Sequence, residues 1–426
     1  MRRWMVQGTK TLDTFVLIVV LGILLAAMLS GDVVQTFQGF FRLQVTPARL
    51  VSDFTAVEGV GPTLLNVAAV GCLGYLFLIL NKLQVSGAGL AALFTMMGFS
   101  FFGKTLFNCI PIMLGVSLSA LIVKKKPRDY ALIAMFGTAM GPLITFIAFE
   151  LGMRSIFALP GSFAVGIVVG LVMPPIAIVM LRLHQGYNLY NVGLSAGFLG
   201  LFTASISHAA GADILLLTMW STSFEPLLMA LVPAIALIAL FCIVAENPRR
   251  IGQSLAEAFR DFRKILTMSG RLPSDFADYV SPTGSLLNAA ILGMLFWLGL
   301  VVLGAPFNGP VLGGLFTIMG FSFFGKHPKN VLPVVCGIVV AIFLFGKDIY
   351  APTPLLAILF GTALAPLAGE FGPIVGFFAG FLHLVIVDRT GVWHGGMVLY
   401  NNGLAAGLTA TLIVSIIEWY RSSREL

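Results

Sequence analysis

One short segment that carries hydroxyl and amine groups occurs twice in the chain. Residues 93–104 read LFTMMGFSFFGK and residues 315–326 read LFTIMGFSFFGK, which are eleven identities in twelve positions. Short glycine-containing segments at equivalent places in two halves of a membrane protein point to a solute site, because irregular backbone in a bilayer must line a cavity or be buried in protein. We therefore predict substrate-binding roles for the matched polar residues Thr95, Ser100, Lys104, Thr317, Ser322 and Lys326. Close helix packing, with each lysine reaching the interface, remains the alternative.

A second duplicated pattern supplies amides and phenols. Residues 184–197 and 394–407 share nine identities in fourteen positions, including Leu-Tyr-Asn and Ala-Gly pairs. The glycines are typical of close helix packing. The predicted substrate-binding residues are Tyr190, Asn191, Tyr400 and Asn401, although Asn and Tyr at a helix start could equally serve as caps.

Ionisable residues within or beside apolar stretches are candidates for ion coupling. Glu150 and Glu370 end matched apolar segments, and His383 lies inside one where the other half has Met173. A carboxylate or imidazole at membrane depth is a functional hypothesis by default. His184 and His394 are the first residues of the second pattern, where they either gate by pH or only form hydrogen bonds. Asp53 and Asp275, in matched Ser-Asp-Phe triplets, are predicted to be helix caps.

The composition requires a lipid solvent. Of 426 residues, 58% are hydrophobic and 10% are charged, and the mean hydropathy is +0.99, whereas soluble proteins carry about 25% charged residues. The net charge of +7 comes from cations in short loops, so nucleic-acid binding is excluded. The sequence has no metalloprotease, nucleophile-elbow or phosphate-loop motif and no paired cysteines. We therefore predict neither enzyme activity, cofactor nor metal.

The duplication extends through the whole chain and defines its organisation. A first membrane repeat (1–210), a linker (211–226) and a second repeat (227–426) each follow from colinear matches such as Ser52-Asp53-Phe54 with Ser274-Asp275-Phe276. Each repeat contains about seven hydrophobic segments, one of them the short glycine-interrupted segment, broken or re-entrant. The predicted fold class is an all-α integral membrane protein.

The distribution of lysine and arginine predicts that the two repeats are inverted. If the short segment crosses the bilayer, nineteen of the 25 cations face the cytoplasm, including the run Lys124-Lys125-Lys126-Pro127-Arg128. If it re-enters, most cations face outward, against the positive-inside rule. Seven crossings per repeat turn the second repeat over relative to the first, and both termini are then cytoplasmic.

The duplicated motifs resemble an uncharacterised bacterial membrane family that carries a domain of unknown function in two copies. Residues 90–120 and 312–342, with the later Tyr-Asn-x-Gly-Leu motif, also resemble urea transporters. That second resemblance implies inverted halves around a central pore, with Phe99, Phe101, Phe321, Phe323, Thr95 and Thr317 along it. The extra segments and the absence of the proline-rich pore motif depart from that family.

These observations predict a permease of the cytoplasmic membrane for a small polar or weakly acidic solute, with its site between the inverted repeats. Its expected partners are the lipid bilayer, the solute and a coupling proton or sodium ion, and a homo-oligomer remains open. The alternatives are a passive channel, an integral membrane enzyme that modifies lipid, and a subunit of a larger complex.

Overall fold

The computed structural model describes residues 2–152, 154–212, 214 and 217–423. Its first repeat contains ten α-helices, with 3₁₀ turns at Pro127–Tyr130 and Thr138–Met140. The elements are α1 (Arg2–Leu29), α2 (Val33–Gln44), β1 (Val51–Ser52), α3 (Phe54–Glu58), α4 (Val60–Leu80), α5 (Gly87–Phe99), α6 (Leu106–Ile122), α7 (Ala131–Gly137), α8 (Gly141–Phe149), α9 (Ser155–His184) and α10 (Asn191–Ala209).

The second repeat contains the same ten helices in the same order, so each helix αn has the counterpart α(n+10). Its 3₁₀ turns lie at Pro248–Arg250 and Gly361–Leu364. The linker before it contains β2 (Thr218–Met219). The helices of the second repeat are α11 (Pro226–Ala245), α12 (Ile251–Ile265), α13 (Phe276–Tyr279), α14 (Pro282–Leu303), α15 (Gly309–Phe321), α16 (Pro328–Leu344), α17 (Pro352–Phe360), α18 (Ala365–Phe371), α19 (Pro373–Trp393) and α20 (Asn401–Ser422).

The predicted all-α membrane architecture is confirmed. In the described part of the chain, 10 helical segments are long and apolar enough to cross a membrane, and α5, α6, α15 and α16 are shorter apolar helices. Each repeat therefore holds seven apolar segments, as predicted. The polar connection between α11 and α13 contains α12, whose first-repeat counterpart is α2.

The break in the short segment lies at its end rather than at Gly98. Helix α5 continues without interruption to Phe99, and a turn that contains Gly103 at φ +155° leads into α6. Asn66 of α4 stabilises this turn by donating hydrogen bonds to the carbonyls of Ser100 and Lys104, at 2.9 and 2.8 Å. Asn288 repeats the arrangement in the second half at Ser322 and Lys326.

Helices α5 and α15 cross in the centre of the molecule and run antiparallel. A Cβ atom on Gly98 would lie 2.8 Å from the carbonyl oxygen of Gly313, and one on Gly320 would lie 2.6 Å from the Cβ of Phe94. Contacts thus pair the end of one helix with the beginning of the other. Every residue of both helices is buried, so these two short segments form the core.

Helices α10 and α20 make the second central crossing, near their N-terminal ends. A Cβ on Gly193 would lie 2.8 Å from the Cα of Gly403, and the side chain of Leu404 packs where a Cβ on Gly197 would be. The predicted packing role of these glycines is therefore confirmed.

Each aspartate of the duplicated triplets caps a helix of its own half, as predicted. Asp53 also accepts a hydrogen bond from the N–H of Gly309 at the start of α15, at 3.1 Å. Asp275 accepts from Gly87 and Ala88 at the start of α5, at 3.1 and 3.0 Å. Each half thus satisfies the free N–H groups of the other half's central helix.

The connection between the repeats packs against the first half. Strand β2 pairs in parallel with β1, with Val51 opposite Thr218. The N–H of Ser221 donates to Asp53, and Asn308 donates to the carbonyl of Ser221. The linker therefore joins both halves at the end of the molecule where α15 begins.

Candidate binding cavity

A cavity of about 550 Å³ lies where the two central crossings meet. This volume is in the range of about 300–1,000 Å³ that ligand sites occupy. Its inner wall is built from repeat-related pairs, one member from each half. The pairs are Thr95 with Thr317, Phe99 with Phe321, Phe136 with Phe360, Leu189 with Leu399, Tyr190 with Tyr400, Val192 with Asn402 and Gly193 with Gly403.

Aromatic rings from opposite halves stack against one another in this wall. The ring centroids of Phe99 and Tyr400 are 4.6 Å apart, and those of Phe321 and Tyr190 are 4.9 Å apart. These separations are within the range of favourable aromatic pairs. The wall is therefore mostly apolar, with polar atoms at only a few places.

The two lysines of the duplicated segment lie behind this wall. The Nζ of Lys104 donates to the hydroxyl of Tyr400 at 2.7 Å, and the Nζ of Lys326 donates to the hydroxyl of Tyr190 at 2.6 Å and to Thr362 at 2.8 Å. Both lysine side chains are fully buried, and neither lines the cavity. Each lysine thus positions a tyrosine from the opposite half.

The predicted binding residues separate into two groups. Ser100 and Ser322 donate to carbonyls of their own helices, at 2.7 and 2.9 Å, and do not line the cavity. Asn401 also lies behind the wall, where it donates to the carbonyl of Val387 at 3.1 Å. The residues that do line it are Thr95, Thr317, Tyr190, Tyr400 and Asn191.

The two matched histidines hold the first residues of α10 and α20 in place. The Nε2 of His184 is 3.0 Å from the Oδ1 of Asn191, and the Nε2 of His394 is 3.2 Å from the Oδ1 of Asn401. Both imidazoles are buried. Each pair ties the first turn of a central helix to the preceding long helix, which gives these histidines a positioning role.

His383 reaches the cavity through a partner that the sequence did not indicate. Its Nε2 lies 3.0 Å from the Oδ1 of Asn402, and Asn402 lines the cavity. The equivalent positions in the first half are Met173 and Val192. A polar pair in one half thus replaces an apolar pair in the other.

Neither predicted carboxylate lines the cavity. Glu150, just beyond the end of α8, forms an ion pair of 2.6 Å with the buried Arg49. Burial raises the pKa of Glu150, and the neighbouring Arg49 opposes that change. Glu370 is exposed near the end of α18. This placement favours a structural role for Glu150.

The rim of the cavity consists of residues that were not predicted. Arg182 and Gln185, at the end of α9, lie beside Leu272 and Pro273 of the connection before α13. The exposed side chains of Leu132 and Leu181 complete this opening. Arg182, Leu132, Leu181, Leu272 and Pro273 lie outside the duplicated motifs, and Gln185 is a position within one where the two copies differ, which is why comparison of the two halves did not find them.

A profile of one protein family, described as "Protein of unknown function (DUF1576)", matches residues 33–209 and again residues 254–419. The chain belongs to this family. The double match confirms the predicted duplicated domain and its uncharacterised family. No curated protein and no solved structure matches the chain, so the comparisons lend no support to the resemblance to urea transporters. The DUF1576 family brings no assigned activity, and the function must be argued from the cavity.

Proposed function

We propose that this DUF1576 protein is a permease whose solute site is the central cavity. The observation that carries the proposal is the wall of seven repeat-related pairs, because a site at the interface of two repeats can respond to movement of either half. In many secondary transporters the substrate site lies at such an interface. The solute would contact Thr95, Thr317 and the two tyrosines that the lysines hold in place.

We propose further that the two repeats are inverted in the bilayer. The antiparallel crossing of α5 and α15 supports this, since equivalent helices run in opposite directions. Contacts between the two halves at one end of the molecule also support the inversion. At the end rich in cations, Arg271 donates to the carbonyl of Gln185 at 2.8 Å and Gln185 donates to Glu418 at 2.7 Å. The positive-inside rule makes this end cytoplasmic.

The two halves differ at the mouth of the cavity, which supports alternating access. Leu132 at the rim is 36% exposed, whereas its counterpart Leu356 is 5% exposed. The side chain of Phe324 lines the opening, and its counterpart Phe102 is 1% exposed. If the halves exchanged their conformations, the cytoplasmic mouth would close and an equivalent mouth would open on the other side.

The linker between the repeats is the barrier to that second mouth. Strand β2 covers β1, whose Val51 is the counterpart of the rim residue Pro273. Ile214 packs where a Cβ on Gly395 would be, and Gly395 is the counterpart of the rim residue Gln185. Opening toward the outside therefore requires the linker to move away from β1.

Single-cysteine accessibility tests this proposal without knowledge of the solute. The four native cysteines are replaced, and Lys125→Cys, Arg154→Cys, Leu132→Cys and Leu356→Cys are each treated with a membrane-impermeant maleimide. Intact cells should label position 154 and, slowly, position 356. Inside-out vesicles should label positions 125 and 132. A disulfide between Val51→Cys and Thr218→Cys should stop labelling at 356 alone.

Three outcomes would contradict the proposal. Labelling of 125 from outside with protection of 154 would reject the inverted arrangement. Labelling of 356 that the disulfide leaves unchanged would reject the linker as the barrier. If position 132 reacts in inside-out vesicles and position 356 reacts as fast in intact cells, the cavity is open at both ends and the passive channel is correct.

A further inference from the structure

The cavity contains a single charged side chain. Among the residues that line it, Arg182 is cationic and none is an aspartate or glutamate. Arg182 is also without an ion-pair partner among the described residues. A planar guanidinium with free donors is suited to bind a carboxylate or another oxyanion.

The buried lysines behind the wall have no acidic partner among the described residues either. The buried Arg49 elsewhere in the chain is paired with Glu150 at 2.6 Å, as expected because an unpaired buried charge is costly. Lys104 and Lys326 are fully buried, yet no carboxylate of the described residues lies within ion-pair distance of either. Of the three buried lysine and arginine side chains among the described residues, Lys104 and Lys326 are therefore the two without a carboxylate partner, and both lie behind this cavity.

The aromatic wall does not offer its π faces freely to a cation. Lys104 lies 5.5 Å from the ring centroid of Phe99 and 4.7 Å from that of Tyr400. Lys326 lies 4.6 Å from the ring of Tyr190 and 5.1 Å from that of Phe321. Aromatic cages recognise cationic ligands when their rings are unoccupied. Here the rings already contact the amino groups of Lys104 and Lys326, so their faces are not free for a cationic ligand.

We infer that the cavity binds an amphipathic solute with an aromatic or alicyclic body and a neutral or anionic head, and that it rejects cations. The body packs between the paired rings of Phe99, Phe321, Tyr190 and Tyr400. The head lies toward Arg182 at the rim, and an anionic head supplies the missing negative charge. This inference rests on the proposed function, since it takes the cavity to be the solute site.

Three ligands of one shape and different charge test the inference. Naphthoate, naphthylmethanol and naphthylmethylammonium are titrated against the purified full-length protein in lipid nanodiscs, with binding followed by ligand fluorescence and calorimetry. Naphthoate should bind about tenfold more tightly than naphthylmethanol, the contribution of one charge-assisted contact. Naphthylmethylammonium should not bind. Equal or tighter binding of the ammonium compound, or failure of all three to bind, would overturn the inference.

Substitutions identify the residues that cause the preference for an anionic head. Arg182→Gln should lower naphthoate affinity about tenfold and leave naphthylmethanol affinity unchanged, and it changes an exposed side chain that the fold does not need. Lys326→Met should reduce the same preference, provided that thermal unfolding shows the variant folded. Lys125→Gln, exposed and distant, is the matched control. Unchanged naphthoate binding in both Arg182→Gln and Lys326→Met would overturn the assignment.

These titrations are independent of transport. If charge selectivity is found while the accessibility experiment gives one fixed opening, the proposed binding site is supported and the proposed permease function is rejected. If accessibility alternates while the ammonium ligand binds best, the permease stands and the solute class is wrong.

Discussion

The carboxylate of Asp275 accepts a hydrogen bond from the N–H of Gly87, which precedes it by 188 residues and begins the central helix of the other half. Asp53 makes the reciprocal contact with Gly309. Since free N–H groups at a helix start carry partial positive charge, each carboxylate stabilises the other half's core helix by hydrogen bonding and by its charge.

Asp275→Ala should therefore destabilise the whole molecule by about 1–3 kcal/mol, because it leaves buried N–H groups of Gly87 and Ala88 without a partner. Thermal unfolding of the purified protein in detergent measures the change. Asp32→Ala is the control, since Asp32 caps α2 at an exposed position and should cost about 1 kcal/mol or less. Equal losses from the two substitutions would show that the contact between halves contributes nothing special.

Gly98→Ala should prevent the close crossing of α5 and α15. Its Cβ would lie 2.8 Å from the carbonyl oxygen of Gly313, and backbone cannot yield as a flexible side chain would. We expect a loss of about 1–3 kcal/mol from overpacking, read from thermal unfolding. Gly22→Ala in α1 has no atom within 4 Å and should be neutral or stabilising by up to about 1 kcal/mol. A neutral Gly98→Ala would argue against this crossing.

Acid should destabilise the protein through His327. Its Nδ1 accepts from the N–H of Asn330 at 3.3 Å and its Nε2 faces the carbonyl of Met268 at 2.9 Å, an arrangement that requires the neutral ring. Burial lowers the pKa of His327 to about 4. The unfolded chain, with a pKa near 6.5, binds a proton first, so this contribution is complete above pH 6.5 and is lost as pH falls toward 4.

The maximum loss of stability is about 3 kcal/mol, from 1.36 kcal/mol for each pKa unit. The chain offers its own control, because the equivalent cap in the first half is Thr105. His327→Thr should keep the cap and flatten the decline in unfolding temperature between pH 7 and 4. An equally steep decline in this variant would assign the acid sensitivity to other groups.

The polar pair of His383 and Asn402 can be converted into its apolar counterpart. His383→Met alone leaves the Oδ1 of Asn402 without its partner and should cost about 1–3 kcal/mol. The double substitution His383→Met with Asn402→Val copies Met173 and Val192 of the first half, and it should recover most of that stability. A double variant as unstable as the single one would mean that the pair is required for folding. Recovery would show that folding does not require the polar pair.

The sequence predicted what the two halves share. The duplicated segments revealed the repeats, the seven apolar segments of each and the paired residues Thr95, Thr317, Tyr190 and Tyr400 that line the cavity. These features were found because equivalent positions in the two repeats are identical, and such identity is retained where both halves meet the same structural constraints. The glycine pattern did not show which glycine interrupts the segment, since the turn lies at Gly103 whereas Gly98 is a packing residue within a continuous helix.

The sequence could not indicate what distinguishes the two halves. Arg182 and Asn402 line the cavity, but their counterparts are Val392 and Val192, so comparison of the repeats passed over them. Lys104 and Lys326 were expected to contact solute. They are instead directed behind the wall by a turn whose geometry depends on Asn66 and Asn288, far away in sequence.

The hydrogen bonds that Asp53 and Asp275 accept from the other half's central helix also affect how the chain folds during its synthesis. When the ribosome has completed the first repeat, α5 has left the translation machinery, but the carboxylate that caps it is not yet synthesised. Lys104 likewise cannot donate its hydrogen bond to Tyr400 until that residue, 296 positions later, has been synthesised. Until the second repeat has been synthesised, the first repeat must therefore stay inserted in the membrane while the N–H groups at the start of α5 lack the carboxylate of Asp275. Co-expressed as separate polypeptides, the two repeats should accordingly protect each other from proteolysis, whereas either one alone should be degraded.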